Sequence, residues 1–233
     1  RSGQHRGPVV RRGVADEDRG IAVLRESLRG RGFELGAVVV TAAGFVVFGL
    51  SFLYIGVASV FWLSYVFARY RWDRDVFARW GFRRAGFRRA MRLTLPFAAV
   101  GLGFCLLYGL VSDAALWRRD LVMLLVLYPP WGVVQQFLVV ALVAENLIAF
   151  GRGRIGEPTV VVITAALFAA IHIPEYPLVP ATFFLGLVTT SVYFRTKNLW
   201  VPGLFHGWFA TLFYFLVMGK NPWSELVIGG FGL

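Results

Sequence analysis

Long apolar runs constrain this chain more than any other feature. The first run, Phe33 to Phe67, has 35 residues with Glu34 as its only charge. One helix of that length measures about 52 Å, whereas a bilayer core needs about 20 residues per crossing. With 58% hydrophobic and 16% charged residues, the chain is too apolar for a soluble domain. We therefore predict an all-α, polytopic transmembrane helix bundle, whose further apolar runs are Leu93 to Val111, Leu121 to Phe150, Pro158 to Phe194 with an interruption at 172–177, and Leu199 to Gly219.

Two arginine clusters flank the first run and predict its topology. Eight arginines lie in residues 1–31 and nine in residues 69–92. Because basic residues beside membrane spans stay on the cytoplasmic side, both clusters are expected there. The run must then turn back inside the membrane, most easily between Gly49 and Gly56. This gives about seven crossings with the C-terminus outside. A single long helix gives the alternative of six crossings and places one cluster on the wrong side.

The basic segments also bear on domain organisation and partners. Residues 1–32 are interpreted as a basic N-terminal tail with little regular structure, and 33–233 as one transmembrane domain. The formal net charge of +11 favours anionic lipids as partners. Nucleic acid is not expected, since no base-reading motif accompanies the charge. Residues 68–92 alternate aromatic and basic side chains, so either Trp72, Trp80, Phe82 and Phe87 lie in the membrane interface, or the segment is a solvated basic loop.

Metal and disulfide scaffolds are disfavoured by the few residues that could form them. The chain has one cysteine, Cys105, and three histidines, His5, His172 and His206. One cysteine cannot form an internal disulfide, and this set cannot build a closed Cys/His zinc site. A site of two histidines with Glu175 would need the turn after His172 to fold back. We predict no metal and no cofactor.

Polar side chains at membrane depth are costly and therefore informative. Gln135 and Gln136 follow Pro129-Pro130, where we expect the helix to kink or restart. His172 and His206 lie on two later apolar segments. Each could be interhelical hydrogen-bond glue, but together the four could converge on one polar pocket in the bundle core.

Two neighbouring residues on the Gln135 helix are assigned different roles. Asn146 is eleven residues from Gln135, which returns an α-helix to about 20° from its start, so the two are expected on one face. Glu145 is nine residues from Gln136, so it is expected on the opposite side of the helix from Gln136. We interpret it as a charge at the helix end near Arg152 and Arg154.

Two sequence segments carry a family resemblance. Phe168-Ala-Ala-Ile-His172-Ile-Pro is the first, and the second runs from Gly186 through Arg195-Thr-Lys-Asn-Leu-Trp-Val-Pro-Gly-Leu-Phe-His206. They resemble the second and third motifs of the CPBP family of intramembrane proteases, the CAAX-processing and bacteriocin-processing group that includes the Ras-converting endoprotease. The resemblance covers about residues 128–216.

The chain departs from that family at two motifs. Where the family has a Glu-Glu pair followed four residues later by Arg, this sequence runs from Gln135-Gln136 to Val140. Where the third motif has Asn or His four residues after its histidine, this sequence has Ala210. Only His172 and His206 remain from the family's catalytic set, and glutamine cannot accept a proton near neutral pH.

The resemblance implies an intramembrane endopeptidase that acts on a membrane-embedded or lipidated peptide in a bacterial inner membrane. Gln135, Gln136, His172 and His206 are the predicted catalytic residues. In one hypothesis a histidine is the sole base and the glutamines orient the water or the scissile carbonyl. In the other, the fold is a noncatalytic pseudoprotease that binds a membrane peptide as a scaffold or chaperone.

Overall fold

The structure is a computed structural model that describes residues 9–48, 52–112, 119–151, 153–173 and 175–221. Within these ranges the chain forms helices and connecting loops and no β-strand. The helices are α1 (Val9–Phe48), α2 (Phe52–Trp72), α3 (Val76–Arg79), α4 (Phe87–Val111), α5 (Arg119–Gln136), a π-helix at Phe137–Ala144 that we call the π segment, α6 (Glu145–Gly151), α7 (Glu157–Ala170), α8 (Leu178–Thr196), α9 (Trp200–Leu212) and a short π-helix at Phe213–Val217.

The predicted all-α polytopic bundle is confirmed. Six described helical stretches are long and apolar enough to cross a membrane, and the longest of them is Asp120–Gly151, with 32 residues. Helix α7 is also apolar but has only 14 residues, fewer than a crossing of about 20 residues needs. Each of the seven predicted crossings therefore corresponds to a helix, and one of the seven is short.

The first apolar run forms two helices that pack against each other in opposite directions. The indole Nε1 of Trp62 donates to Oγ1 of Thr41 over 3.1 Å, and the hydroxyl of Tyr54 donates to the Thr41 carbonyl. Since α1 ends at Phe48 and α2 begins at Phe52, the single-helix alternative is wrong. The first residues of the predicted turn, 49–51, lie outside the described residues. The expectation of little regular structure in residues 1–32 is wrong from Val9 onward, because α1 begins there.

The aromatic and basic segment 68–92 packs partly against the bundle. Trp80 is only 7% exposed and packs edge-on against Phe137 at the start of the π segment. Phe82 contacts Phe137 and Trp200. Trp72, in contrast, is 83% exposed. Trp80 and Phe82 therefore pack inward, whereas Trp72 does not.

This segment is held on the connection between α8 and α9 by hydrogen bonds. Asn198 is fully buried, and its Nδ2 donates to the carbonyls of Arg83 at 2.6 Å and Ala85 at 3.2 Å. Its Oδ1 accepts from the backbone N–H of Val201 in the first turn of α9. Gly86 has a positive φ of 76°, and a Cβ there would lie 2.4 Å from the carbonyl oxygen of Thr196. One asparagine thus fixes the loop and the start of α9 together.

Helix α5 does not restart at Pro129-Pro130 as expected but runs through both residues. Pro129 has no N–H to offer the carbonyl of Leu125 one turn earlier. The indole Nε1 of Trp208 on α9 donates to that carbonyl over 3.0 Å instead. The neighbouring helix therefore supplies the hydrogen bond that the proline removes, which is how prolines are tolerated in membrane helices.

Glycines allow the backbones of α5 and α9 to touch. A Cβ on Gly207 would lie 2.3 Å from Cα of Pro129, and one on Gly203 would lie 2.6 Å from Cα of Val133. On the facing helix, a Cβ on Gly132 would lie 2.5 Å from the backbone nitrogen of Gly207. Gly203 and Gly207 form a G-x-x-x-G pair, a pattern that lets membrane helices approach closely.

We expect Gly207→Ala to destabilise the protein, because the added methyl group meets backbone that cannot move aside. Overpacking of this kind costs about 1–3 kcal/mol. Thermal unfolding in detergent measures the change. The control is Gly103→Ala in α4, where a Cβ meets nothing within 4 Å, so the gain of about 1 kcal/mol in helix propensity should dominate. Equal stability of the two variants would contradict the close α5 and α9 contact.

The two arginine clusters are predicted to share the cytoplasmic side of the membrane. Cysteines introduced at Ser2 and at Ala85 should both resist a membrane-impermeant thiol reagent in intact cells and react after permeabilisation. Cys105 is fully buried and should not react in either case. Labelling of one introduced cysteine but not the other in intact cells would show that the clusters lie on opposite sides.

Candidate active site

Two of the predicted site residues meet where α5 faces α9. Gln136 ends α5 and is fully buried, and His206 is 2% exposed. Nε2 of Gln136 lies 3.1 Å from Nδ1 of His206, which is hydrogen-bond distance. The glycine contacts bring the two backbones close enough for these side chains to meet. His206 lies between Gly203 and Gly207 on α9, so the glycines that let the two helices touch also place its ring next to α5.

The ring of Phe168 joins the two histidines. Its centroid lies 5.1 Å from the His172 ring and 5.2 Å from the His206 ring, and it meets both rings nearly at right angles. Phe168 is 1% exposed and lies in the last full turn of α7. His172 follows the end of α7 and is partly buried. The structure thus brings Gln136, His172 and His206 into one cluster around a phenylalanine.

The hydrogen bonds assign opposite tautomers to the two histidines. Nδ1 of His172 lies 2.8 Å from the carbonyl oxygen of Phe168. A carbonyl only accepts, so this Nδ1 carries the proton and Nε2 keeps its lone pair. Nε2 of Gln136 only donates, so Nδ1 of His206 accepts and its Nε2 carries the proton. The cluster therefore offers one ring nitrogen that can take a proton and one that can donate a hydrogen bond.

Burial keeps the first histidine neutral. Desolvation lowers the pKa of His172 below its usual value, and the hydrogen bond to the Phe168 carbonyl opposes that shift more weakly. A lowered pKa means that the ring is neutral at pH 7 and stays neutral somewhat below pH 6.5. The lone pair on Nε2 is then available over the physiological range.

The side-chain oxygen of Gln136 has an unusual environment. Its Oε1 is buried and accepts no hydrogen bond from the described residues. Because a buried acceptor without a donor is costly, this oxygen is a natural place for a donor such as a water molecule or a peptide N–H.

Gln135 does not share this arrangement. It is half-buried, and none of the hydrogen bonds among the described residues joins it to Gln136, His172 or His206. Consecutive residues on a helix point about 100° apart, so only one of the glutamines faces α9.

The helix geometry before Asn146 and Glu145 differs from the regular α-helix assumed in the sequence analysis. The π segment intervenes between Gln136 and residue 145, and its wider turns change the rotation that an α-helix would give. Asn146 consequently faces α1, where its Nδ2 donates to Glu34 over 2.7 Å. Glu145 pairs with Lys197, just after α8. Of the two arginines expected near it, Arg152 lies outside the described residues.

The described residues contain no group of three or more His, Cys, Asp and Glu side chains that could hold a metal ion. Glu175, the third ligand considered with the histidines, forms an ion pair with Lys220.

Several residues that support the site were missed in the sequence analysis. Trp208 and the three glycines between α5 and α9 determine how closely Gln136 and His206 approach. The G-x-x-x-G spacing of Gly203 and Gly207 is a signal that could have identified this interface. Asn198 carries no comparable signal, because a loop asparagine is common and its partners are 113 and 115 residues away.

Comparison with known proteins agrees with the resemblance. Residues 117–212 match a family model described as Rce1-like, type II CAAX prenyl endopeptidase. No curated protein and no solved structure matches the chain. The matched range includes Gln135, Gln136, His172 and His206. The family that the model describes is a protease family. Over residues 117–212 the chain is therefore similar to the Rce1-like endopeptidases.

Proposed function

We propose that the chain is an intramembrane endopeptidase of the CPBP type that cuts a membrane-embedded or lipidated peptide. The observation that carries the proposal is the placement of two histidines on either side of Phe168, each with its Nδ1 in a hydrogen bond that leaves its Nε2 free. Peptide hydrolysis needs a base for the attacking water and a donor for the developing oxyanion. The two rings supply one of each without a carboxylate.

In this proposal His172 is the general base. Its Nε2 removes a proton from water as the water oxygen forms a bond to the peptide carbonyl carbon. The same nitrogen then returns the proton to the amide nitrogen as the C–N bond breaks. A base that is neutral at pH 7 is suited to both steps.

His206 is the proposed oxyanion donor. Its Nε2–H would donate to the carbonyl oxygen as negative charge develops there, and Gln136 holds the ring in the required tautomer. Loss of one such donor commonly costs a factor of about 100 to 1,000 in rate. Gln135 is proposed to orient the peptide or the water from the adjacent face of α5.

A second candidate is a noncatalytic scaffold or chaperone for membrane peptides. Two observations favour it: Gln136 and His206 are almost completely buried, and the family's carboxylates and arginine are replaced at Gln135, Gln136 and Val140. In that case the hydrogen bond between Gln136 and His206 only stabilises the packing of α5 against α9, by about 0.6–2 kcal/mol.

The further proposals concern the surroundings of the site. We propose that the chain resides in a bacterial inner membrane and that anionic lipids contact its cytoplasmic side. Four arginines, Arg84, Arg88, Arg89 and Arg92, are exposed at the start of α4, whose first turn contains no acidic residue. Cations are unfavourable at a helix N-terminus unless an anion compensates them, and lipid phosphates would do so.

We expect His172→Ala and His206→Ala each to abolish cleavage of a co-expressed membrane peptide that the wild type cuts. The loss should be at least about 100-fold for the base. Cleavage by the wild type should persist somewhat below pH 6.5, since the lowered pKa of His172 keeps its base form there. If no peptide is cut while a partner peptide still binds both variants, the scaffold function is correct and the enzyme proposal fails.

Gln136→Glu is expected to reveal whether the first motif limits activity. A carboxylate only accepts hydrogen bonds, so Nδ1 of His206 would have to carry the proton and Nε2 would lose it. A new base would be gained while the oxyanion donor is lost, so we expect altered and not fully restored cleavage. Gln135→Glu is the comparison variant, because it adds the same charge one residue earlier, where it can affect the placing of the peptide or the water but not the tautomer of His206. Equal effects of the two changes would argue against a special role for Gln136.

The tautomers can be measured directly. In protein labelled with ¹⁵N-histidine and held in nanodiscs, one buried ring should be protonated at Nδ1 and another at Nε2. His172→Ala should remove the first pair of signals and His206→Ala the second. The same tautomer on both rings would overturn the base and donor assignment.

A further inference from the structure

Glu34 places a carboxylate inside the first membrane span. It is 7% exposed and is the only charge between Phe33 and Phe67. An ionisable side chain at membrane depth is expensive unless it is paired, and it commonly has a function. Glu34 lies far outside residues 117–212, the part of the chain that matches the family model. Its role must therefore be derived from its contacts.

Both oxygens of Glu34 are hydrogen-bonded. The hydroxyl of Tyr65 on α2 donates to Oε1, and Nδ2 of Asn146 on α6 donates to Oε2 over 2.7 Å. The Oδ1 of Asn146 accepts in turn from Nη1 of Arg31 over 3.2 Å. These four side chains connect the helix pair α1 and α2 to the long helical stretch that contains Gln136.

Asn146 lies at the point where the π segment returns to an α-helix. The backbone N–H of Glu145 still bonds to the carbonyl of Val140, five residues earlier. Nδ2 of Asn146 also donates to the carbonyl of Leu142, within the π segment, over 2.6 Å. A single amide group thus contacts both the π segment and Glu34.

The opposite end of the π segment adjoins the candidate site. Gln136 immediately precedes Phe137, the first residue of the π segment, and the helix continues without interruption from Arg119 to Gly151. A rotation of the π segment about its axis therefore also turns Gln136. Apolar contacts, such as those of Val38 with the π segment, tolerate rotation, whereas hydrogen bonds are directional.

We propose that Glu34 is a positioning residue for the candidate site. By holding Asn146, it fixes the rotation of the π segment and so directs Gln136 toward Nδ1 of His206. The proposal deepens the proposed function, since it concerns the same Gln136 to His206 contact. It assigns the helix pair α1 and α2 a role in shaping a site to which it contributes no side chain.

The experiment uses the full chain in nanodiscs, labelled with ¹⁵N-histidine. The variants are Glu34→Ala and Asn146→Ala, with the double variant. Thr41→Val is the matched control, because it removes the hydrogen bond from Trp62 between α1 and α2 without touching α6. Circular dichroism confirms that each variant is folded.

We expect Glu34→Ala and Asn146→Ala each to shift the His206 signals toward those of a ring no longer bonded to Gln136. The double variant should shift them no further, since both changes break the same link. Thr41→Val should leave them unchanged even if it lowers the melting temperature. A purely structural role for Glu34 would give the reverse result, with lower stability and unshifted His206 signals, and would overturn the proposal.

Asn146→Leu covers the case in which the alanine variants do not fold. Leucine has the same number and branching of side-chain heavy atoms as asparagine but no N–H₂ group, so it cannot donate to Glu34 or to the Leu142 carbonyl. A shift of the His206 signals is expected, and an unchanged spectrum overturns the proposal. The readout is a hydrogen bond and not cleavage, so failure of the enzyme proposal and failure of this one are distinguishable.

Discussion

The contact between the backbones of α5 and α9 is the constraint on which the site depends. Gly203 and Gly207 leave room for Val133 and Pro129 at distances that no side chain would allow. In a membrane, helices gain little from hydrophobic burial against each other, so close packing and hydrogen bonds must hold them together. The same close approach places Gln136 against His206. Packing and site geometry are therefore one feature of the sequence and not two.

Satisfying polar groups away from water explains much of the remaining architecture. Trp208 supplies the hydrogen bond that Pro129 removes from Leu125, and Asn198 holds the segment after α3 against the start of α9. Each device uses a partner distant in sequence. Because an unpaired group in hydrocarbon costs several kcal/mol, these long-range bonds are requirements of the fold. These hydrogen bonds also hold the basic segment 68–92 against the bundle core, where Trp80 packs on Phe137, the residue that follows Gln136.

Features that depend on the length of apolar runs or on residue counts could be predicted from the sequence. Local changes of helix geometry could not. Apolar length predicted the helices, and the arginine counts predicted two separate helices in the first run. The expectation that Asn146 shares a face with Gln135 assumed α-helical turns across Phe137–Ala144, and no residue type in that segment indicates a π-helix. Trp80 was misplaced because alternating aromatic and basic residues suit a membrane surface as well as a packed loop. Of the four predicted site residues, Gln136, His172 and His206 come together, and Gln135 points elsewhere.

A glutamine at position 136, instead of a glutamate, affects more than the supply of a base. A carboxylate there would accept from Nδ1 of His206 and leave its Nε2 without a proton, whereas the amide donates to Nδ1 and leaves a proton on Nε2. Glutamine is also neutral, so it can occupy a fully buried position without the cost of burying a charge. Compared with a carboxylate, the amide therefore leaves the proton of His206 on Nε2, and this nitrogen becomes a hydrogen-bond donor. In the proposed mechanism His172 is therefore the proton acceptor, because its bond to the Phe168 carbonyl leaves the lone pair on Nε2 free.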